Sequence, residues 1–398
     1  MKITYLNEFY SLMRATRELR AQLVEEIIVG NTVPADARIR LQNALSDLTA
    51  IPHTDNTYKL LLDKNKTISI DLTYEIEELK KDLYFIQHDE TEFYNYLAER
   101  HPHFTDEVSA GTALLDGLFF NAFITDRDGT VNNYCGRYAS SVQSMYNAVF
   151  LGNFARIKTT NSIILTSAPL QNIGLIDISV GPINTFIYAA SKGREYIGKD
   201  GIRNSFPIPQ EKQTMLDRLN KRLEEMIKSP LYEKFSLIGS GLQFKFGQTT
   251  IARQDINNSI PEQESEAFLH LMRDLTNELD PEHIFFRIED TGKDIEIILT
   301  VDHESNSHEA TDFDKGNGVA FLNEALGLNL SKGTLLICGD TPSDLPMVST
   351  AMHYNHNTYA IFVTTDDSLK KTVHNICPNS LIVSNPDVLI TILQKLSQ

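Results

Sequence analysis

Tryptophan is absent from this 398-residue chain, and the three cysteines, Cys135, Cys338 and Cys377, lie far apart. An odd, scattered set makes neither a disulfide framework nor a thiolate zinc site. Positive charge is also in short supply: 36 Lys and Arg stand against 53 Asp and Glu, a net charge of -17. Such a surface repels nucleic acid and anionic membranes, so an anionic ligand needs local cations or a metal. No apolar run approaches the roughly 20 residues of a membrane span, and the charged N-terminal stretch lacks a signal-peptide core. A Walker-type phosphate loop, internal repeats and low-complexity tracts are missing too. What is left is the expectation of a cytoplasmic, soluble protein of two or three domains.

Three textures divide the chain. Residues 1–115 read as a helical accessory region, with Leu72, Ile76, Leu79, Leu83 and Ile86 forming one helical stripe. This region shows no ionisable cluster with ligand spacing and is expected to pack, or to form a homo-oligomer. His101 and His103, in a Pro-containing loop, are expected at the surface. From Leu118, short continuous apolar runs end abruptly in polar residues or glycine: "LFFNAFITD", "SIILTSAP", "NTFIYAASKG", then "TLLICGD", "YAIFVTTDD" and "SLIVSN". Continuous hydrophobicity marks strands buried on both faces of a parallel sheet, the core of an α/β fold spanning 116–207 and 306–398. The segment 208–305 instead shows alternating antiparallel strands joined by a helix, an inserted α+β cap.

Ligands of parallel sheets bind beyond the carboxyl ends of the strands, where the polar residues collect. Asp126 and Asp128 end the first run, Gly129 permitting the turn. Thr166 or Ser167 ends the second, and Lys315 opens a helix after the insert. Asp340 and Asp344 follow "TLLIC". Carboxylates converging in one crevice repel unless a divalent cation joins them, and oxygen-only ligands favour Mg²⁺ over zinc. A cation, a lysine and an aspartate nucleophile are what phosphoryl transfer requires, with a second carboxylate serving as acid and base.

Taken in order, "DRDGT", "LTSAP", Lys315 and "GDTPSD" resemble the four motifs of haloacid-dehalogenase-like phosphatases. Within these, the chain looks most like the trehalose-6-phosphate phosphatases: "IYAASKGREYIGKDG" is similar to their Gly-Ser-His-Gly-x-Glu segment, and "DIEIILT…DKGNGVAFL" to their glutamate-bearing strand and K-G-x-A-L. The resemblance covers about 117–398. It implies a Rossmann-like parallel sheet with a large cap. It also implies Asp126 as nucleophile and metal ligand, and Asp128 as acid/base giving its backbone carbonyl to Mg²⁺. Thr166 would hold the phosphoryl oxygen, because Thr-Ser-Ala-Pro aligns with Ser-Gly-Arg-Pro, with Ser167 beside the substrate. Lys315 would neutralise transition-state charge, while Asp340 and Asp344 complete the metal site.

Ala168 replaces the family arginine, Lys192 its histidine, and Thr341-Pro342-Ser343 departs from its fourth motif. Sugar recognition is then expected from Lys192 and Glu195 at a core strand end, and from Gln243, Lys245, Arg253 and Glu296 on the cap. The implied activity is hydrolysis of trehalose 6-phosphate, without a glycosyltransferase domain in this chain. Sucrose phosphate and mannosyl-3-phosphoglycerate are alternative substrates, and a sugar-phosphate-binding regulator is the non-catalytic alternative.

Overall fold

A computed structural model describes residues 2–62, 66–255, 258–300 and 313–398. The first unit carries helices α1 (Leu6–Ile28) and α2 (Ala35–Thr49), strands β1 (His53–Thr54), β2 (Thr57–Leu61) and β3 (Thr67–Asp71), then α3 (Thr73–Phe85), α4 (Glu90–Ala98) and α5 (Phe104–Leu115). The helical stripe lies on α3, with Leu72 as its N-cap and Ile86 as its C-cap. The small antiparallel sheet β1–β2–β3 corrects the all-helical expectation. Its strands "TYKLL" and "TISID" alternate polar and apolar residues, but at five residues each they are easily passed over between the longer helical stripes.

The core follows: β4 (Phe120–Thr125), α6 (Met145–Lys158), β5 (Thr159–Leu165), α7 (Leu175–Ile178), β6 (Ile187–Ala190), β7 (Glu195–Ile197) and β8 (Arg203–Ser205). The cap contains α8 (Gln210–Met226), β9 (Leu242–Lys245), β10 (Gln248–Ala252), α9 (Glu262–Leu279), β11 (Phe286–Asp290) and β12 (Asp294–Leu299). The core resumes with α10 (Lys315–Leu326), β13 (Thr334–Gly339), α11 (Leu345–Tyr354), β14 (Thr358–Val363), α12 (Asp367–Ile376), β15 (Ser380–Val383) and α13 (Pro386–Leu396). The expected cap-to-core boundary at 305/306 lies outside the described residues.

The core sheet runs β15-β14-β13-β4-β5-β6-β7-β8. It is parallel from β15 to β6, whereas β7 and β8 pair antiparallel at the edge, so the sheet is mixed rather than all parallel. The apolar run in β4 is continuous because both faces are covered. Phe123 enters the cluster shared with α6, α13 and the N-terminal helices, while Ala122 and Ile124 enter the cluster with α10 and α11. The stripes of α1 and α3 therefore form one continuous core with the α/β unit.

That junction also buries charge, which the sequence reading did not foresee. Arg20 Nε lies 2.6 Å from Asp82 Oδ2, and Asp82 Oδ1 accepts the Met145 amide at the start of α6. Lys81 reaches Glu78 and Asp387 at 2.8 and 2.7 Å, and His101 Nε2 lies 2.8 Å from the fully buried Asp387. His101 is thus a packed partner of α13 rather than a surface residue, while His103 is exposed. Losing one member of such a buried set strands its partners in a medium of low dielectric.

Glu75, in the same junction, is buried with Oε2 lacking any hydrogen-bond partner, and burial pushes its pKa from 4.5 up to about 7. A carboxyl with a raised folded pKa contributes stability below its ordinary pKa, and that contribution is lost as pH rises through about 7. Linkage puts the loss on the order of 3 kcal/mol. Glu75→Gln should therefore stabilise the protein at pH 8 and give no gain at pH 4.5, as read from urea midpoints. Equal gains at both pH values would contradict this origin.

Candidate active site

The site begins where the two central strands end. β4 and β13 are neighbours, and the Asp126 amide continues their ladder by donating to Cys338 O at 3.0 Å. Asp126 and Asp340 consequently emerge side by side. Gly129 sits at φ +86°, and a Cβ there would collide with the Asp340 carboxylate. Glycine thus serves both the turn and the close approach. Thr130, a residue not singled out from the sequence, stitches the two strand ends by donating to Asp340 Oδ1 at 2.9 Å.

Lys315 is the first residue of α10, whose start is fixed by Asp314 accepting the Asn317 amide at 2.8 Å. Its Nζ donates to Asp126 Oδ1 and to Asp344 Oδ1, both at 2.6 Å. Asp344 Oδ2 in turn accepts the amides of Asp340 and Thr341, each at 3.0 Å. The position of α10 depends on a glycine pair: a Cβ on Gly193 would lie 2.7 Å from Gly318 Cα.

The charges are strongly perturbed. Burial, helped by the Asp344 and Asp128 charges and opposed by Lys315, pushes Asp126 up to about 7. Burial together with Asp126 and Asp344 pushes Asp340 up to about 9. Asp344 is held below its ordinary value: burial acts upward, but Lys315 and the amide donors outweigh it. Oxygens of Asp126, Asp340 and Asp344 lie within 4.8 Å of one another. One lysine against two buried carboxylates and a half-buried third leaves an excess of negative charge, and the donors are hard oxygens only. This donor set is consistent with a divalent metal.

Asp128 stands apart from the three. Its Oδ1 accepts from Ser141 Oγ at 3.0 Å and from Arg127, and it lines a crevice of about 350 Å³ between core and cap. Thr166, Ser167 and Ala168 form the adjacent core wall. Both aspartates lie beyond the end of β4, where the turn at Arg127–Gly129 breaks the alternation that would put them on one face: Asp126 meets Lys315, and Asp128 lines the crevice.

The cap closes the crevice with one sheet face. Register aligns Gln243, Thr250 and Glu296 in a row across β9, β10 and β12, whereas Leu242, Ile251 and Ile295 face the cap helices. Gln243, Lys245 and Glu296 line the crevice, together with Asp294 and Ser240. Lys192, in left-handed backbone at φ 62°, reaches Glu296 at 3.3 Å, and Lys245 lies 3.8 Å from the same carboxylate. Burial lowers the Lys245 pKa. For Glu296 burial acts upward, yet Lys245 and Lys192 hold it below the ordinary value.

Two expected sugar contacts are placed elsewhere. Arg253 turns away from the crevice and grips Asp290, at 2.8 and 3.2 Å, and Ser265 and Glu266 on α9. It follows β10 and has left the strand alternation on which the expectation rested. Glu195 is buried and engaged by Ser191 Oγ at 2.9 Å and Arg203 at 2.7 Å, so it braces the Lys192 turn from behind. Asp294 was missed, although its period-two spacing from Glu296 could have found it.

The sheet order, the inserted cap and the aspartate–lysine crevice define a haloacid-dehalogenase-like protein. Residues 123–389 match the model of the C-terminal part of trehalose-6-phosphate phosphatase, and residues 5–103 match that family's N-terminal helical bundle domain. The chain belongs to the trehalose-6-phosphate phosphatase family. It is 35% identical over 98% of its length to an α,α-trehalose-phosphate synthase [UDP-forming] 2 of Aphelenchoides avenae, spanning 31% of that protein. It therefore spans about a third of the length of such relatives. A trehalose-phosphatase of Caenorhabditis elegans is 28% identical over 96% of this chain and 93% of its own length. The C-terminal domain of a C. albicans trehalose-6-phosphate phosphatase aligns with a TM-score of 0.48 at 14% identity, covering 73% of this chain and 96% of that one. Among the described residues no helix is long and apolar enough to cross a membrane.

Proposed function

We propose that the protein is a cytoplasmic, Mg²⁺-dependent phosphatase acting on a sugar phosphate, with trehalose 6-phosphate as the substrate its family favours. The observation that carries the reading is Lys315 Nζ at 2.6 Å from both Asp126 and Asp344, with Asp128 free of that pair on the crevice wall. Asp126 attacks phosphorus in line and the ester bond to the sugar oxygen breaks, giving an aspartyl phosphate. Asp128 protonates the departing alkoxide and then deprotonates the water that releases inorganic phosphate. Lys315 neutralises charge on the transferring oxygens, and Thr166 supplies a hydroxyl beside them. Asp126, Asp340 and Asp344 would hold the Mg²⁺, which supplies further charge neutralisation when bound.

The polar face of the cap sheet is suited to sugar hydroxyls, with Gln243, Lys245, Glu296 and Lys192 as the reading residues. Self-association through the N-terminal helices would use their outer surface, where Val29 and Ile39 are exposed.

The reading is tested by phosphate release from a panel of sugar phosphates, with Mg²⁺ and after EDTA treatment. Release from trehalose 6-phosphate that EDTA abolishes and Mg²⁺ restores is the expected result. Preference for another ester would reassign the substrate, and no release from any ester would overturn the reading. Lys192→Ala should raise KM for a disaccharide phosphate far more than for p-nitrophenyl phosphate, whereas equal losses would place Lys192 on the phosphoryl group.

A further inference from the structure

Beside the catalytic crevice lies a second cavity, of about 400 Å³, where the N-terminal unit, core and cap meet. This is within the range of roughly 300–1,000 Å³ typical of small-molecule sites. Strand β3 and helix α3 form its outer wall. The two spaces share Tyr134, Cys135, Gly136, Gly239 and Asp255, so they are neighbouring rooms with a common partition. None of the phosphoryl-transfer residues lines the second room.

The lining is polar and mixed in sign. Asp71, Glu77, Glu78 and Asp255 face Lys81, Arg100 and Arg137 across it. Four carboxylates against three cations disfavour a second phosphate. Hydroxyl groups, each a donor and an acceptor, match such a wall on every side. Tyr134, 66% exposed, presents a ring face of the kind that packs against the C–H surface of a sugar.

The walls are already fixed. Glu78 Oε1 accepts both Lys81 Nζ at 2.8 Å and Asn133 Nδ2 at 3.2 Å, and Asn133 Nδ2 also donates to Asp387 at 2.7 Å. Arg137 donates to Tyr10 Oη at 3.0 Å and to Leu237 O at 2.9 Å, joining all three units. A pre-set wall spares a ligand the cost of ordering it.

We infer that this chamber is a second binding site for a neutral saccharide of disaccharide size, distinct from the phosphorylated ligand in the crevice. Resting on the phosphatase reading, the natural occupant is the dephosphorylated sugar that the reaction releases. Because the partition is shared, its binding inhibits turnover without competing with substrate.

The test is calorimetric titration of the full chain with trehalose and maltose, followed by inhibition kinetics with the same sugars. Glu77→Ala, on the outer wall, and Arg100→Ala, beside it just after α4, should each weaken saccharide binding about fivefold, the scale of a lost hydrogen bond. Gln243→Ala, in the crevice, should leave saccharide binding intact. Absence of binding by either sugar overturns the proposal, as does binding that survives both the Glu77 and Arg100 changes or disappears with Gln243→Ala. Hydrolysis without saccharide binding sinks only this inference, and saccharide binding without hydrolysis of any ester sinks only the phosphatase reading.

Discussion

On the proposed mechanism, Asp126→Asn should reduce phosphate release by about a thousandfold or more, because no other carboxylate is placed to replace it as acceptor. Asp344 is committed to two amides and to Lys315, and Asp340 to Thr130. Asp128 is pinned by Ser141 and Arg127 on the other side of the turn. The substitution keeps shape and the backbone bond to Cys338, so the fold should survive, as circular dichroism and a thermal melt would report. Rapid-quench trapping of radiolabelled phosphate on wild type, and none on the variant, would complete the case. A variant that keeps more than about a tenth of the rate would mean that the phosphoryl group goes elsewhere.

Lys315→Ala should be nearly as damaging to turnover and should also cost stability. The lysine is the shared counter-ion of two carboxylates that are themselves buried. Removing one partner from a buried ionic set costs about 3–5 kcal/mol, much of it the penalty for the charges left behind. Urea unfolding in EDTA should show that loss, and added Mg²⁺ should narrow the gap by supplying another positive charge. A variant within about 1 kcal/mol of wild type in EDTA would show that the pair is solvated enough to do without the lysine.

The legible part of the sequence was the part with an unambiguous period. Strands such as "AFIT" and "LLIC" are apolar throughout because helices cover both faces, and their ends locate Asp126 and Asp340 directly. Arg253 was misplaced because it lies one residue beyond β10, where alternation no longer governs direction. The junction between units was illegible for a different reason. Lys81, His101 and Asp387 are polar residues at ordinary spacings, and only tertiary contact across 286 and 306 positions makes them a buried set. Strands β2 and β3 differ: their alternation is present but short, and it is the inward Tyr58, Leu60 and Ile70 that join the core cluster with the N-terminal helices.

The contact between α13 and the N-terminal unit bears on synthesis. A ribosome delivers α1 to α5 before α13, and the carboxylate that receives Lys81 and His101, Asp387, emerges 306 and 286 residues after them. Until then Lys81 has only Glu78 and His101 lacks its carboxylate acceptor, and the apolar faces of α5 and α6 against which α13 packs stay uncovered. The nascent chain thus holds an open seam until α13, the final described helix, emerges, and chaperone occupancy should concentrate at that seam.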